Sequence, residues 1–336
     1  MPISIDLDNT QFFIAIAKKK AHSFIMLGTY GQNKVQHLLC RVGKVFDLKR
    51  NADDTIPVSS LFNALGDAAF SSAAAKIQDE GLSRKKQGHQ SISYQAYDIN
   101  FQQYLDFIRI LESTQTRLNS FECYKPIGRQ YNTIMLERTR HKIFKPRPLA
   151  GGLFAATNTI SINNNCRHGA IKLVEETLHT SISPLVSTNF FSELPYHTFL
   201  EFGVPSQNLA FYVLPPPPNA YTSLNSEKKN AMEKLYKRME QMVLLEPNSE
   251  TTQEKFACLK DFYKQLVAEQ QEPSLDKLLA SIHSWKKEHY SLLSHLRKTY
   301  FWDDFITRKS ATLTTIEEIE RDLANEENGS SCFSFD

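Results

Sequence analysis

Pro215-Pro216-Pro217-Pro218 is the stretch that most narrows what this chain can become. Proline fixes φ and lacks a backbone N–H, so four in succession cannot continue a sheet and form a stiff extended spacer. The sequence changes character across it. Upstream, runs rich in β-branched and aromatic residues read as strands: Ile3 to Asp6, Phe12 to Ala17, Ser23 to Leu27, Val35 to Phe46 and Ser91 to Asp98, with further candidates at Phe121 to Tyr124, Thr198 to Phe202 and Leu209 to Leu214. Between them, Ala68 to Lys76 is predicted helical, Ser83 to Gly88 is a basic loop, and Asn100 caps a helix with Phe101, Tyr104, Leu105, Ile108 and Leu111 on its inner side. Downstream, helical spacing takes over in Ser226 to Leu245, Thr252 to Glu269 and Ser274 to Arg308. The methionines and aromatics of these helices read as core. At 336 residues the chain is long enough for two domains. The expectation is an α+β domain over residues 1–214, a helical module over 219–310, and an acidic flexible tail over 311–336.

Composition excludes several function classes. A net charge of +2, with lysines interleaved with glutamates and no finger, RNP or basic-zipper pattern, points away from nucleic acid. The five cysteines (Cys40, Cys123, Cys166, Cys258, Cys332) are scattered and form no CxxC pair, so free thiols in a reducing compartment are expected, with neither a disulfide framework nor a zinc site. His283, His289 and His295 recur at six-residue steps, which is not a ligand spacing; no metal is expected. Phosphate-loop and dinucleotide motifs are absent, and no cofactor is implied. No apolar run is long enough for a membrane span, and the start, Met1-Pro2-Ile3-Ser4-Ile5-Asp6, carries an acid where a signal peptide carries lysines. A soluble, cytosol-tolerant protein is the expectation.

Chemistry concentrates in Asn163-Asn164-Asn165-Cys166-Arg167-His168-Gly169. Apolar residues at 170, 171, 174 and 178 follow one helix face, and asparagine is a preferred N-cap, so a helix should begin at Asn164 or Asn165 with Cys166 in its first turn. Backbone N–H groups and the helix dipole favour a thiolate there and can hold an oxyanion. The plain alternative is a small buried cysteine in a capped helix. A nucleophilic cysteine needs a base and a group that orients it. His22 opens one predicted strand and His37 lies on the next; a loop centred near Tyr30 places them on neighbouring rungs. The candidate set is therefore Cys166 as nucleophile, His22 as general base and His37 as orienter, with Asn165 and His168 as site lining.

These residues carry a resemblance. His22-Ser23-Phe24-Ile25-Met26-Leu27-Gly28, followed by Lys34-Val35-Gln36-His37, resembles the two histidine strands of the circularly permuted NlpC-type papain-like superfamily. Asn165-Cys166-Arg167-His168 resembles the Asn-Cys-Glu-His motif of its lecithin:retinol acyltransferase branch, with Arg167 in place of the acid and Gly169 in place of the usual aromatic. The resemblance implies an antiparallel sheet packed on a cysteine-bearing helix, with residues 50–90 and 120–150 as insertions. It implies thiol-dependent hydrolysis of an amide or isopeptide bond in a protein, with acyl transfer or lipid ester cleavage as the main variant. The tail, glutamate-rich from Ile316 to Glu327 and small and aromatic from Asn328 to Asp336, looks like the translocation signal of effectors exported by bacterial type IV secretion systems. That implies residence in the bacterial cytosol before export and in a host cytosol after it, with a host protein as substrate. The helical module, through Trp285 to Lys298, is a candidate contact for a partner or membrane surface. The rival from another class is a catalytically silent binding protein in which hairpin and helix are scaffold.

Overall fold

The computed structural model describes residues 2–49, 51, 55–82, 88–116, 120–222, 224–268, 274–296 and 308–331, with side chains up to 326 in the last segment. The chain divides into two compact units, Met1–Val213 and Leu214–Asp336. The boundary falls at the edge of the proline run.

The first unit is α+β with antiparallel sheets. Strands β1 (Ile3–Asp6), β8 (Thr133–Thr139) and β7 (Cys123–Gln130) form a small sheet in the order β1-β8-β7. The larger sheet runs β11 (Val204–Pro205), β10 (Tyr196–Glu201), β6 (His89–Ile99), β2 (Gln11–Lys19), β3 (His22–Gly31), β4 (Lys34–Phe46), β5 (Ala73–Asp79), β9 (Thr159–Ile160). Its middle strands are buried along nearly their whole length; in β2, Phe12 through Lys18 are all buried. Such a strand needs cover on both faces.

Pairing shows how the cover is divided. Ser23 pairs with Lys18, and Lys18 with Ser93; the guanidinium of Arg167 on helix α4 (Cys166–Leu178) reaches Ser23, so this rung faces α4. The next rung, Phe24–Ala17–Tyr94, faces the opposite way. There the extended chain before the prolines covers the sheet. Phe211 stacks on Tyr94 with ring centroids 4.4 Å apart and lies 5.0 Å from Phe13, while the Tyr212 N–H donates to the Tyr94 hydroxyl at 2.8 Å. Leu209 to Val213, expected with Leu214 as a strand, thus crosses a sheet face as extended chain, and Leu214 is an isolated bridge residue. Alongside α4 lie helices α2 (Phe101–Thr114) and α3 (Gly151–Asn158). The cap of α2 is as predicted: Asn100 Oδ1 accepts from the Gln103 N–H, and the Gln103 side chain accepts from the Asn100 N–H.

Helix α1 spans Val58–Phe70, and the predicted helix over Ala68 to Lys76 gives way after Phe70 to strand β5. Ala73, Ala75 and Ile77 are buried in alternation with Ala74 and Gln78, and this period of two pairs β5 with β4 despite the helix propensity of alanine. Residues 83–87 of the basic loop lie outside the described residues.

The second unit is helical where described: α5 (Ser226–Val243), α6 (Glu250–Ala268), α7 (Leu275–Glu288), α8 (Tyr290–Ser294) and α9 (Ala311–Ser331). Met232, Leu235, Met239, Leu259, Phe262 and Ile282 form its interior, with Phe262 stacked on Trp285 at 4.2 Å. The single helix expected over Ser274 to Arg308 is interrupted at His289, and residues 297–307 lie outside the described residues. The tail also differs from expectation. Residues 311–331 are helix α9, whose Leu313, Ile316, Ile319 and Leu323 are buried at helical spacing, so the acidic block is the outer side of a packed helix. The final residues, 332–336, lie outside the described set. Among the described residues no helix is long and apolar enough to cross a membrane.

Candidate active site

Cys166 is the first residue of α4, and Asn165 is its N-cap. The Asn165 side-chain oxygen accepts the His168 N–H at 3.0 Å, and its amide donates to the Ile162 and Thr188 carbonyls at 3.2 and 3.3 Å. The cap is thereby fixed to both flanking loops. The Ser23 N–H, at the start of β3, donates to Cys166 Sγ at 3.4 Å.

His22 stands one residue before Ser23. Its Nε2 lies 2.8 Å from Glu80 Oε1, and Glu80 is the residue that follows β5. Gly43 on the intervening strand makes this meeting possible: a Cβ there would lie 2.7 Å from both His22 Nε2 and Glu80 Oε1. Arg41, buried and positioned over the Phe24 ring, has its guanidinium 3.8 Å from the other Glu80 oxygen. The carboxylate is 13% exposed and the imidazole 35%.

The electrostatics tie the three together. Burial penalises the His22 imidazolium, but hydrogen bonds to Cys166 and Glu80 and the charges of both outweigh it, raising His22 to about 9. Burial likewise penalises the Cys166 thiolate. Hydrogen bonds from His22 and from the Ser23 and Arg167 N–H groups, with the imidazolium charge, prevail and lower the thiol below its ordinary value. The combination favours a thiolate–imidazolium pair.

Two further cations frame the thiol. Arg167 is fully buried and donates to Ser23 Oγ at 2.9 Å, the Ser192 carbonyl at 2.9 Å and the Ser187 carbonyl at 3.2 Å, stapling α4 to β3 and to the 187–192 loop. Lys44 donates to Asn164 through its carbonyl at 2.7 Å and side-chain oxygen at 2.8 Å. Burial pulls its ammonium down to about 7, against the thiolate charge. Gly169 keeps room for this lysine: a Cβ there would meet Lys44 Cδ at 2.8 Å and the Ala156 carbonyl at 2.9 Å.

A cleft of about 550 Å³ opens over Cys166, His22, Lys44 and Asn165. Its walls are apolar: Val45 and Phe46 from β4, Leu65, Ala68 and Ala69 from α1, Ile160 and Ile162 before α4, and Phe190.

The structure therefore brings together Cys166, His22 and Asn165 of the sequence-derived set, and not His37. His37 pairs with Thr29, seven residues along β3 from His22, and is exposed. The hairpin turns at Gln32-Asn33, both with positive φ (49° and 55°), and not at Tyr30. Moving a turn by about three residues shifts the register by about six, and the bulges in β3–β4 complete the difference. Glu80 occupies the position assigned to His37. His168 contributes its N–H to the cap and does not line the cleft; burial and the charges of Lys44 and Lys172 hold its ring below the ordinary histidine value. Arg167, Lys44 and Glu80 were missed as site residues. The signal for Glu80 was the Ala73/Ala75/Ile77 alternation, which ends in Asp79-Glu80-Gly81, with Gly81 at φ +72°.

Among the described residues no group of three His, Cys, Asp or Glu side chains could hold a metal ion. Compared with known proteins, the chain matches no protein-family model, no curated protein and no solved structure.

Proposed function

We propose that the first unit is a papain-like thiol enzyme of the permuted arrangement, in which Cys166, His22 and Glu80 act on an acyl carbonyl. The observation that carries the reading is one imidazole held by a carboxylate and lining the same cleft as a thiol at a helix start. With Glu80 holding Nε2, Nδ1 is the ring nitrogen left for the thiol. The Cys166 thiolate attacks the carbonyl carbon and a C–S bond forms. The oxyanion is met by N–H groups of the first turn of α4 and by the Lys44 ammonium. His22 protonates the leaving amine or alcohol, then takes a proton from the water that cleaves the thioester, and the thiol is restored.

Hydrolysis of an amide or isopeptide bond in a protein is the first reading. Acyl transfer or ester cleavage on an apolar acyl group is the second, favoured by the apolar walls of the cleft. Export through a type IV system is the accompanying proposal for residues 311–336. Its test is translocation of the full chain carrying Glu318→Gln and Glu326→Gln, because truncation at 310 also removes the buried Leu313, Ile316 and Ile319.

The test of the catalytic reading is acyl-enzyme trapping with an activated phenyl ester. Intact and peptide mass spectrometry should place one acyl group on Cys166, with none formed in Cys166→Ala and a strong reduction in His22→Ala. Acylation spread evenly over Cys166, Cys258 and Cys332 would sink the reading and leave the scaffold alternative.

A further inference from the structure

His22 lines two clefts. One is the apolar hollow over Cys166; the other, of about 370 Å³, lies among Lys19, Lys20, Phe24, Arg41 and Glu80. Ala21 and His22 belong to both. Sheet register explains the division. Lys19 pairs with His22 in the last rung of β2–β3, and Phe24 and Arg41 follow at even steps on the same side, so the second cleft lies on the sheet face away from α4. Cys166 opens the helix on the other face. The two hollows meet at the rim of the sheet, around the turn Lys20-Ala21.

Their chemistry differs. The hollow over Cys166 has aliphatic and aromatic walls, whereas three basic side chains and one carboxylate line the second. That carboxylate is already engaged: Glu80 meets His22 Nε2 at 2.8 Å and the Arg41 guanidinium at 3.8 Å. Arg41 is 3% exposed, lies over the Phe24 ring at 5.0 Å and donates to the Gly203 carbonyl at 3.2 Å, so packing fixes its position. Lys20 stands at the turn with φ +53°, a conformation that glycine enters at lower cost. A cationic residue occupies the place where the two clefts join.

We propose that the second cleft is the leaving-group subsite of the thiol enzyme and takes a carboxylate, so that the preferred substrate joins an apolar acyl half to an acidic leaving half. The inference rests on the catalytic reading above. To protonate the leaving atom His22 must face it, so the leaving half passes that ring, and the further hollow that the ring lines is the cationic one. In a protein substrate the acid is an aspartate or glutamate directly after the bond that breaks.

The experiment compares two esters of one acyl group: nitrophenyl hexanoate, and carboxynitrophenyl hexanoate, whose leaving group carries a carboxylate. With either, the Cys166 thiolate forms a C–S bond, the C–O bond breaks and a nitrophenolate departs. Acylation of Cys166 is followed by peptide mass spectrometry in the full chain and in Lys19→Gln/Lys20→Gln, which leaves Cys166, His22 and Glu80 in place. The ratio of the acidic-ester rate to the neutral-ester rate should fall about fivefold in the double variant, with the neutral ester changed less than about twofold. Salt at about 0.5 M should bring the wild-type ratio down toward that of the variant. A ratio that the double variant leaves unchanged overturns the subsite and leaves the catalytic reading standing. If neither ester acylates Cys166, the catalytic reading fails, and the cleft is judged by thiol exchange, which needs no acyl chemistry. There the anionic dithiobis(nitrobenzoate) is set against the neutral dithiodipyridine; the thiolate forms an S–S bond and expels an aryl thiolate. A rate ratio on Cys166 that falls in the double variant keeps the cleft as a carboxylate site, and an unchanged ratio removes it.

Discussion

Two buried charge clusters in the first unit invite comparison. In one, the Lys125 ammonium on β7 meets Glu112 of α2 at 2.7 Å, both essentially without exposure. Lys125 also donates to the His141 carbonyl at 2.5 Å, and Glu112 accepts the Ile143 N–H at 3.0 Å and the Phe144 N–H at 2.7 Å. Its partners come from strand, helix and loop, and its charges are shut away from solvent. In the other, Glu80 holds the His22 ring at 2.8 Å and the imidazole helps lower the Cys166 thiol, which faces a hollow. The first cluster ties α2 to β7 and the 141–144 segment; the second holds an imidazole and a thiol of lowered pKa beside the cleft. Burial of charge alone does not mark a site. An open face beside the cluster does.

Substitutions should separate the two clusters, and the largest effect falls on the open one. In His22→Ala the Cys166 thiol loses its imidazolium and returns toward an ordinary pKa near 8.5, at which about 0.3% is thiolate at pH 6. Alkylation of Cys166 at that pH, read by peptide mass spectrometry, should fall about 100-fold or more, while thermal unfolding changes little. Glu112→Ala should do the reverse. It leaves the Lys125 ammonium buried without its carboxylate and two loop N–H groups without an acceptor, so unfolding in urea should show a loss of about 3–5 kcal/mol. Labelling of Cys166 in the protein that stays folded should be unaffected. If that labelling instead falls as in His22→Ala, the clusters are not separate.

A smaller effect is expected of Glu80→Gln. The neutral amide removes the charge that helps hold His22 at about 9, but a fall of about one pKa unit still leaves the ring almost fully protonated at pH 6 and about half protonated at pH 8. Cys166 labelling should therefore change less than about twofold at pH 6 and fall by about twofold at pH 8. The smallest effect is that of His37→Ala. An exposed side chain at the other end of the β3–β4 hairpin should change stability by less than about 0.5 kcal/mol and leave Cys166 labelling as in the wild type. A loss in His37→Ala exceeding that in Glu80→Gln would restore the histidine as orienter.

What could be read from the sequence was what is local. The α4 start, its Asn165 cap and the placement of Cys166 follow from three asparagines before an amphipathic run; the capping box at Asn100 and the helices after the prolines follow from similar signals. His22 at the head of a strand was legible for the same reason. The partner of His22 was not, because it depends on sheet register. Gln32-Asn33 lacks the glycine that marks a two-residue hairpin, so the turn was misplaced and His37 was brought to the wrong rung. Glu80 arrives through β4–β5 pairing over a long sequence separation, with alanines in β5 that mimic a helix. Tertiary pairing decided there against local propensity. The tail misled in the opposite sense: its acidic residues read as a flexible end, while Leu313, Ile316, Ile319 and Leu323 beneath them bury one face of α9.

The most direct test of the central claim is the pH profile of Cys166 alkylation in the wild type against His22→Ala. The thiol pKa is lowered and that of the imidazolium is raised to about 9, so the thiolate–imidazolium pair should exist in the window between them. The wild-type rate should already be high at pH 6 and should rise little toward pH 9. In His22→Ala it should climb steadily through pH 8–9, as for an ordinary thiol. Superimposable profiles, both rising only near pH 8–9, would mean that His22 does not act on the thiol and would contradict the account.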